Sequence, residues 1–400
     1  MKIVHIVRMN NDGDIGGVEY HVRYLTQAQF KAGLTPIIVT FQLSDRDEES
    51  VVVRDGITWH QLQIRQDGGW WYKKLKQYEG KGFGLLVMLL ERIHYNFYYK
   101  KVLDYVDNLK PEIAHQHDYL PSVRLSRHLS KKYPTVFTNH FGEYLYLEKS
   151  FLTRYIQKKL IGHFHQIIAP SKELLPDTSN SHHIPNGYDD EKFSPISPEN
   201  HTLLKQSLDC DGKVVFLCAR RWAPTKGIIY FAQAINRLDT AVKEKIVILF
   251  AGNESTDYEL YKAQVANELA KASECDIRLL GNLDHDKLLK YMQVCDIAVI
   301  PSLMEAISLF AIESFGSGKP VLASDTGGLP EIISHNKNGW LVEKGNADAL
   351  ASTINHIVSE APSSLPRIDV DYYKQYYSWR SIASRVLAIY QTALSEFKPK

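Results

Sequence analysis

The chain holds 400 residues, of which 44% are hydrophobic and 23% charged, with a net charge of +1. That length is too great for one compact core and sufficient for two domains. The even charge balance excludes a general polyanion-binding surface, and no apolar run approaches the roughly 20 residues that span a bilayer.

The opening MKIVHIVRMN alternates in a strand-like way, without a charged-then-apolar leader, so no secretion signal is expected. Ile3–Val7 reads as a strand, Val18 to about Lys31 as an amphipathic helix ended by Gly33, and Pro36–Phe41 as the next strand. A β-loop-α-β start of this kind predicts a parallel sheet with crossover helices. Ile113–His117, Thr135–His140 and Gln166–Pro170 are short, nearly continuous apolar runs, as expected of strands covered on both faces. The turn Pro185-Asn186-Gly187 and a polar stretch with Pro195 and Pro198 then mark a linker. A second β-α series follows: Val214–Ala219, Ile246–Gly252, Ile277–Leu280, Ile297–Pro301, Val321–Ser324 and Gly339–Val342. The last element, Trp379 to about Glu396, is a helix with apolar residues at helical spacing.

The pattern predicts an α/β protein of two Rossmann-like, doubly wound domains facing across a cleft. Residues 1–195 are expected to form the first domain and residues 196–377 the second; the C-terminal helix (378–397) could pack on either and is assigned to the first. Residues 1–185 carry 24 Lys/Arg against 19 Asp/Glu, and residues 186–400 carry 23 against 27. Twelve of the sixteen histidines lie in the first half. The four cysteines, Cys210, Cys218, Cys275 and Cys295, lack the spacing of a zinc or redox pair and read as reduced thiols.

In open α/β sheets, ligands bind beyond the carboxyl ends of the strands. The segment Pro301-Ser302-Leu303-Met304-Glu305-Ala306-Ile307-Ser308-Leu309 lies at such an end. Ser308 is a candidate N-cap for a helix containing Glu313, and free N–H groups at that helix start favour a phosphate. Alone, Glu305 and Glu313 would be ordinary solvated carboxylates. Upstream, Arg221 and Lys226 follow a strand and open a helix, a spacing that could neutralise a diphosphate leaving group. Near the start, Gly16 and Gly17 follow the first strand, where small residues let backbone approach a ligand.

Together these marks resemble the retaining glycosyltransferases of family 4, with the GT-B fold. Glu305 and Glu313 match the family's EX7E motif, Arg221 and Lys226 its R-x4-K pair, and Gly318 to Glu331 its G-x-P-V…GG-x-P-E stretch. Pro185 to Asp189 with Phe193 matches its PNG turn, Gly16 to Glu19 its GGVE, and Tyr377-Ser378-Trp379 its final helix start. The resemblance implies that Arg221 and Lys226 hold the donor diphosphate, Glu313 the ribose and Glu305 the hexose. It also implies that N–H groups of Ala306, Ile307, Ser308 and Leu309 line the sugar, that the loop at Asn282 and Leu283 meets the base, and that Gly16 and Gly17 approach the diphosphate. His140 matches the histidine near the transferred sugar, with a packed strand-end histidine as the rival reading; His115 and His117 read as core or rim residues. The chain departs from the family where Arg220, Ala306 and Ser308 replace glycines: Ala306 and Ser308 stay small but put the identity of the hexose in doubt, and Arg220 either reaches phosphate itself or points to solvent.

The implied activity is transfer of a hexosyl unit from a UDP- or GDP-linked sugar to a glycan or lipid-linked acceptor in bacterial surface polysaccharide or glycolipid assembly, in the cytoplasm or at the inner face of the plasma membrane. The donor is a co-substrate; no cofactor and no essential metal are expected. Asp284-His285-Asp286 mimics a metal-binding DxD but reads as a helix cap. Residues 70–101 interleave aromatics with seven Lys/Arg and could lie on an anionic bilayer or form buried acceptor-domain helices. No nucleic-acid motif is present. The rival readings are a non-catalytic GT-B binding or chaperone subunit and a GT-B sugar-nucleotide epimerase.

Overall fold

The run KIVHIVR forms the central strand β1 (Lys2–Arg8), its middle five residues buried. It belongs to a computed structural model that describes residues 1–8, 17–65, 97–117, 123–140, 161–252, 258–360 and 364–398. The chain divides into two compact units, Met1–Asn186 with Trp379–Lys400, and Gly187–Ser378. Each is a Rossmann-like α/β unit, the fold class the alternation predicts.

In the first unit β1 is followed by helix α1 (Gly17–Lys31) and by β2 (Thr35–Ser44), β3 (Glu48–Arg54), β4 (Ile57–Arg65), β5 (Ile113–Gln116), β6 (Thr135–Thr138), β7 (Gln166–Ala169) and β8 (Ser181–His183). Helices α2 (Tyr99–Leu109) and α3 (Val123–Lys132) flank the sheet. The strand order is β3-β4-β2-β1-β5-β6-β7-β8, parallel except for the β3–β4 hairpin. Three of these strands lie outside the sequence reading. The β3–β4 turn is Asp55-Gly56, both at positive φ, which is what a two-residue hairpin with right-handed strand twist requires. The strand β8 reads Ser-His-His and carries no apolar signal.

The second unit contains β9 (Val214–Ala219), β10 (Ile246–Ala251), β11 (Asp276–Leu279), β12 (Ile297–Ile300), β13 (Val321–Asp325) and β14 (Gly339–Glu343). Its helices are α4 (Pro198–Ser207), α5 (Ile228–Asn236), α6 (Thr240–Lys243), α7 (Glu259–Ala270), α8 (His285–Val294), α9 (Leu309–Gly316), α10 (Leu329–Ile332), α11 (Ala347–Ser359) and α12 (Val370–Tyr377). All strands are parallel, in the order β11-β10-β9-β12-β13-β14. Alternation along β9 and β10 feeds two cores. Phe216, Ile248 and Phe250 pack with Phe231 of α5, while Val215, Leu217, Val247 and Leu249 pack with Ile312 and Phe315 of α9. Burying both faces explains the nearly continuous apolar strands.

The last helix, α13 (Trp379–Glu396), packs on α1 of the first unit. There the buried Tyr390 hydroxyl accepts a hydrogen bond from Gln29 at 3.0 Å. Residues 70–96 of the basic aromatic stretch lie outside the described residues. Among the described residues no helix is long and apolar enough to cross a membrane.

Candidate active site

In the second unit the strand order reverses between β9 and β12. Crossovers leave the sheet in opposite directions at such a point and open a crevice beyond the carboxyl ends of those two strands. The Arg220-to-Lys226 loop leaves β9 there, and the Pro301-to-Ser308 loop leaves β12. Backbone contacts fix the two loops together. Thr225 O accepts from the N–H groups of Leu303 at 2.9 Å and Met304 at 3.2 Å. Gly227 takes φ +63°, and a Cβ there would strike the carbonyl of Pro301. Gly327, at φ +57°, lies so close beneath Glu305 O that a Cβ would overlap that oxygen. The Gly-Gly pair before Pro330 thus supports the Glu305 loop, and Gly328 N–H donates to Ala306 O at 3.0 Å.

Glu305 is the centre of the crevice, 8% exposed. Its Oε2 accepts from Lys226 Nζ at 2.9 Å, from Ser302 Oγ at 3.0 Å and from the Arg220 guanidinium. Burial alone would raise the Glu305 pKa. The charges of Arg220 and then Lys226 outweigh it and hold the carboxyl at about 2. Lys226 is lowered, first by its own burial and then by the charge of Arg220, with Glu305 opposing both. Arg220 also donates to Ser308 Oγ at 3.3 Å.

The neighbouring arginines therefore divide their roles. Arg220 lies inside with Glu305 and Lys226, whereas Arg221, the residue the motif spacing selects, is exposed. The chain leaves β9 extended, with Arg220 N–H on Ala251 O and Trp222 N–H on Gly252 O, so successive side chains alternate in direction. Trp222 follows as a buried residue. From sequence Arg220 was open between reaching phosphate and pointing to solvent; its two-residue spacing from the buried Trp222 is the signal that marks it as inward-facing.

Ser308 is the N-cap of α9, its hydroxyl accepting from Ala311 N–H, and Ile307 is buried beside it. Ala306 and Leu309 are half-buried on the same loop. Glu313 is 4% exposed on α9. Asn282 and Leu283 lie in the loop after β11, where Gly281 O accepts from Gly252 N–H at 2.8 Å. Asp284 caps α8 by accepting from Lys287 N–H at 2.8 Å, and Asp286 pairs with Lys192 at 3.0 Å. Asp284 thus serves as a helix cap, while Asp286 forms an exposed ion pair.

In the first unit Gly17 begins α1, with nothing within 4 Å of where a Cβ would stand. Gly16 lies outside the described residues. His140 follows β6 and places Nε2 3.3 Å from Nδ1 of His117. Burial, and then the charge of His21, keep the His140 pKa well below 6.5. His115 and His117 are buried.

Comparison with known proteins agrees with this architecture in both halves. A family profile described as Glycosyltransferase Family 4 matches residues 15–192, and one described as Glycosyl transferases group 1 matches residues 201–369. An uncharacterized glycosyltransferase of Methanocaldococcus jannaschii is 27% identical over 285 residues, 70% of this chain and 75% of the relative. The lipopolysaccharide 1,2-N-acetylglucosaminetransferase of Salmonella typhimurium is 27% identical over 260 residues, 57% of this chain and 65% of the relative. Among solved structures, the sucrose-phosphate synthase of Thermosynechococcus elongatus superposes with a TM-score of 0.76 at 18% identity, covering 99% of this chain and 100% of that one. Anabaena HepE in complex with UDP and glucose superposes with a TM-score of 0.69 at 17% identity, covering 98% and 100%.

Proposed function

This chain belongs to the GT-B glycosyltransferase superfamily, and from that premise we propose that it moves a hexosyl unit from a nucleotide-sugar to a glycan or lipid-linked acceptor, with retention of configuration. The observation that carries the proposal is the buried Glu305 carboxylate bridged by Arg220 and Lys226 at the strand-order reversal. Glu305 holds both cations. A donor diphosphate offers them more negative charge, so binding transfers the guanidinium and ammonium from carboxylate to phosphate. Glu305 is then released to accept hydrogen bonds from sugar hydroxyls.

Cleavage of the sugar–phosphate bond leaves negative charge on the diphosphate, and cations already in place lower that cost. The first turn of α9 adds N–H groups directed at an anion. Glu313 on the same helix takes the ribose, and the loop at Asn282 and Leu283 the base. These assignments, and retention itself, are supported by the EX7E resemblance. The reaction is proposed to need no metal, since protein cations meet the diphosphate charge and Asp284 and Asp286 have other partners. The setting proposed is the cytoplasmic face of a bacterial membrane, in surface polysaccharide or glycolipid assembly. The lipopolysaccharide enzyme of Salmonella supports that setting by likeness alone.

The test is a thermal-shift screen of UDP- and GDP-sugars, followed by assay of nucleoside diphosphate release. A ligand at 100 times its Kd stabilises the folded chain by about 2.7 kcal/mol. At least one donor is expected to raise the melting temperature of the wild type and not that of Lys226→Ala. Absence of any shift across the panel, with the same donors at millimolar concentration, would refute the proposal. Conversion of a donor without an acceptor would instead support the epimerase reading.

A further inference from the structure

The first unit has its own strand-order reversal, between β1 and β5, and histidines fill it. His5 lies on β1 in register with His115 of β5. His117 follows β5, His140 follows β6, and His21 stands on α1. Except for the half-buried His140, these rings are 0–3% exposed. Their hydrogen bonds fix where the lone pairs point. Gln29 Oε1 accepts from His5 at 2.8 Å, which places the His5 proton on Nε2. His5 Nδ1 must then accept, and it does so from His117 Nε2–H at 2.9 Å. The Nδ1 of His117 is left with its lone pair. Asn186 Oδ1 accepts from His21 Nδ1–H at 2.8 Å, which leaves the lone pair on His21 Nε2. That nitrogen is buried and has no hydrogen-bond partner.

His140 Nε2 completes the group, 3.3 Å from His117 Nδ1. One ring nitrogen from each of His21, His117 and His140 lies within 4.8 Å of the other two. With the lone pair on His117 Nδ1, the 3.3 Å contact is a hydrogen bond donated by His140 Nε2–H when no ion is bound. Its length matches the edge of about 3.3–3.4 Å between two nitrogens bound at about 2.0–2.1 Å to one tetrahedral ion.

We propose that His21 Nε2, His117 Nδ1 and His140 Nε2 form a binding site for one divalent late-transition metal of the zinc class, with the fourth position open. An all-imidazole set suits zinc, cobalt, nickel or copper, whereas magnesium and calcium require oxygen ligands. Two ligands have the outer support typical of metal-bound histidine: Asn186 holds His21, and His5 on Gln29 holds His117. Burial keeps the three rings neutral, so the lone pairs are available at pH 7. The neighbouring trio His5, His115 and His117 is also close-set, but it serves as scaffold. Both nitrogens of His115 are taken, by the Tyr390 hydroxyl at 2.6 Å and Thr138 Oγ1 at 2.7 Å, and both of His5 by Gln29 and His117. The site lies wholly within the first unit and does not depend on the transferase reading.

The experiment uses the full chain, stripped with a chelator and titrated with Co²⁺ as spectroscopic probe. One equivalent is expected to produce the intense visible bands of a four-coordinate ion with nitrogen ligands, abolished by Zn²⁺. Millimolar Mg²⁺ is expected to change neither spectrum nor melting temperature. His21→Ala should weaken Co²⁺ binding at least 100-fold. Asn186→Ala, which touches no metal, should weaken it about 10–100-fold, and it decides the matter if His21→Ala does not fold. A pale six-coordinate spectrum, thiolate charge-transfer bands, or full binding retained in Asn186→Ala would overturn the proposal.

Discussion

Replacing Arg220 by Met, which keeps the length of the side chain and removes its charge, separates the two arginines that follow β9. Glu305 falls from 4.5 to about 2 on folding. At about 1.4 kcal/mol per unit that is roughly 3 kcal/mol favouring the charged carboxylate. Because burial opposes this, Arg220 and Lys226 together supply more than the net figure, and Arg220 contributes the larger charge effect. The coupling between Arg220 and Glu305 is therefore expected at about 2 kcal/mol, below the 3–5 kcal/mol of a buried pair stripped of its only partner, since Lys226 remains. The assay is a double-mutant cycle of Arg220→Met and Glu305→Gln by urea unfolding at pH 7, fitted with a step for each unit. The sign with pH follows from the depressed folded pKa. The contribution is fully present above 4.5 and is lost as pH falls toward 2. In Arg220→Met the folded pKa rises toward 4.5, so that loss should be smaller and end at a higher pH. Coupling below about 0.5 kcal/mol, or equal coupling for Arg221→Met, would refute the inward assignment of Arg220.

Gly327→Ala should destabilise the second unit by at least about 3 kcal/mol and abolish donor binding, because the new Cβ overlaps the Glu305 carbonyl at a positive φ; thermal melts and the donor screen read both effects. Asp284→Ala should cost about 1 kcal/mol through loss of the α8 cap and leave turnover unchanged; loss of turnover without loss of stability would revive a metal role for the DxD-like run. His163 is half-buried with both ring nitrogens covered and unpartnered, and its pKa is lowered to about 4, chiefly by burial and then by Arg127. Its unfolded form takes up a proton below 6.5 while the folded form does not until about 4, so stability falls as pH drops through that window. His163→Phe should therefore raise stability and reduce the loss between pH 7 and pH 5 by about 2 kcal/mol; urea unfolding at the two pH values tests it, and an unchanged slope would show that the ring is protonated or hydrated when folded.

Much of the fold was written in local pattern. Apolar runs such as Ile297–Ile300 and Ile246–Ala251 announce doubly covered parallel strands, because burial on both faces leaves no polar alternation. Asp55-Gly56 was an equally local hairpin signal, and the chemistry of positive φ would have supplied β3 and β4. The strand β8 offered no such signal; its three half-buried polar residues pair only because β7 presents an open edge.

The sequence by itself determined the alternation of strands and helices, the glycines at Gly227 and Gly327, and the carboxylate and cations gathered in two loops. Those features depend on neighbours in the chain. Tertiary structure decided that Arg220 rather than Arg221 meets Glu305, a choice the sequence marks only by the two-residue spacing from Trp222, since β9 and β10 set the phase in which the chain leaves the sheet. It also decided that His5, His21, His115, His117 and His140 share one buried cluster. Parallel strands joined by long crossovers bring together residues more than a hundred positions apart, and no local spacing records that meeting.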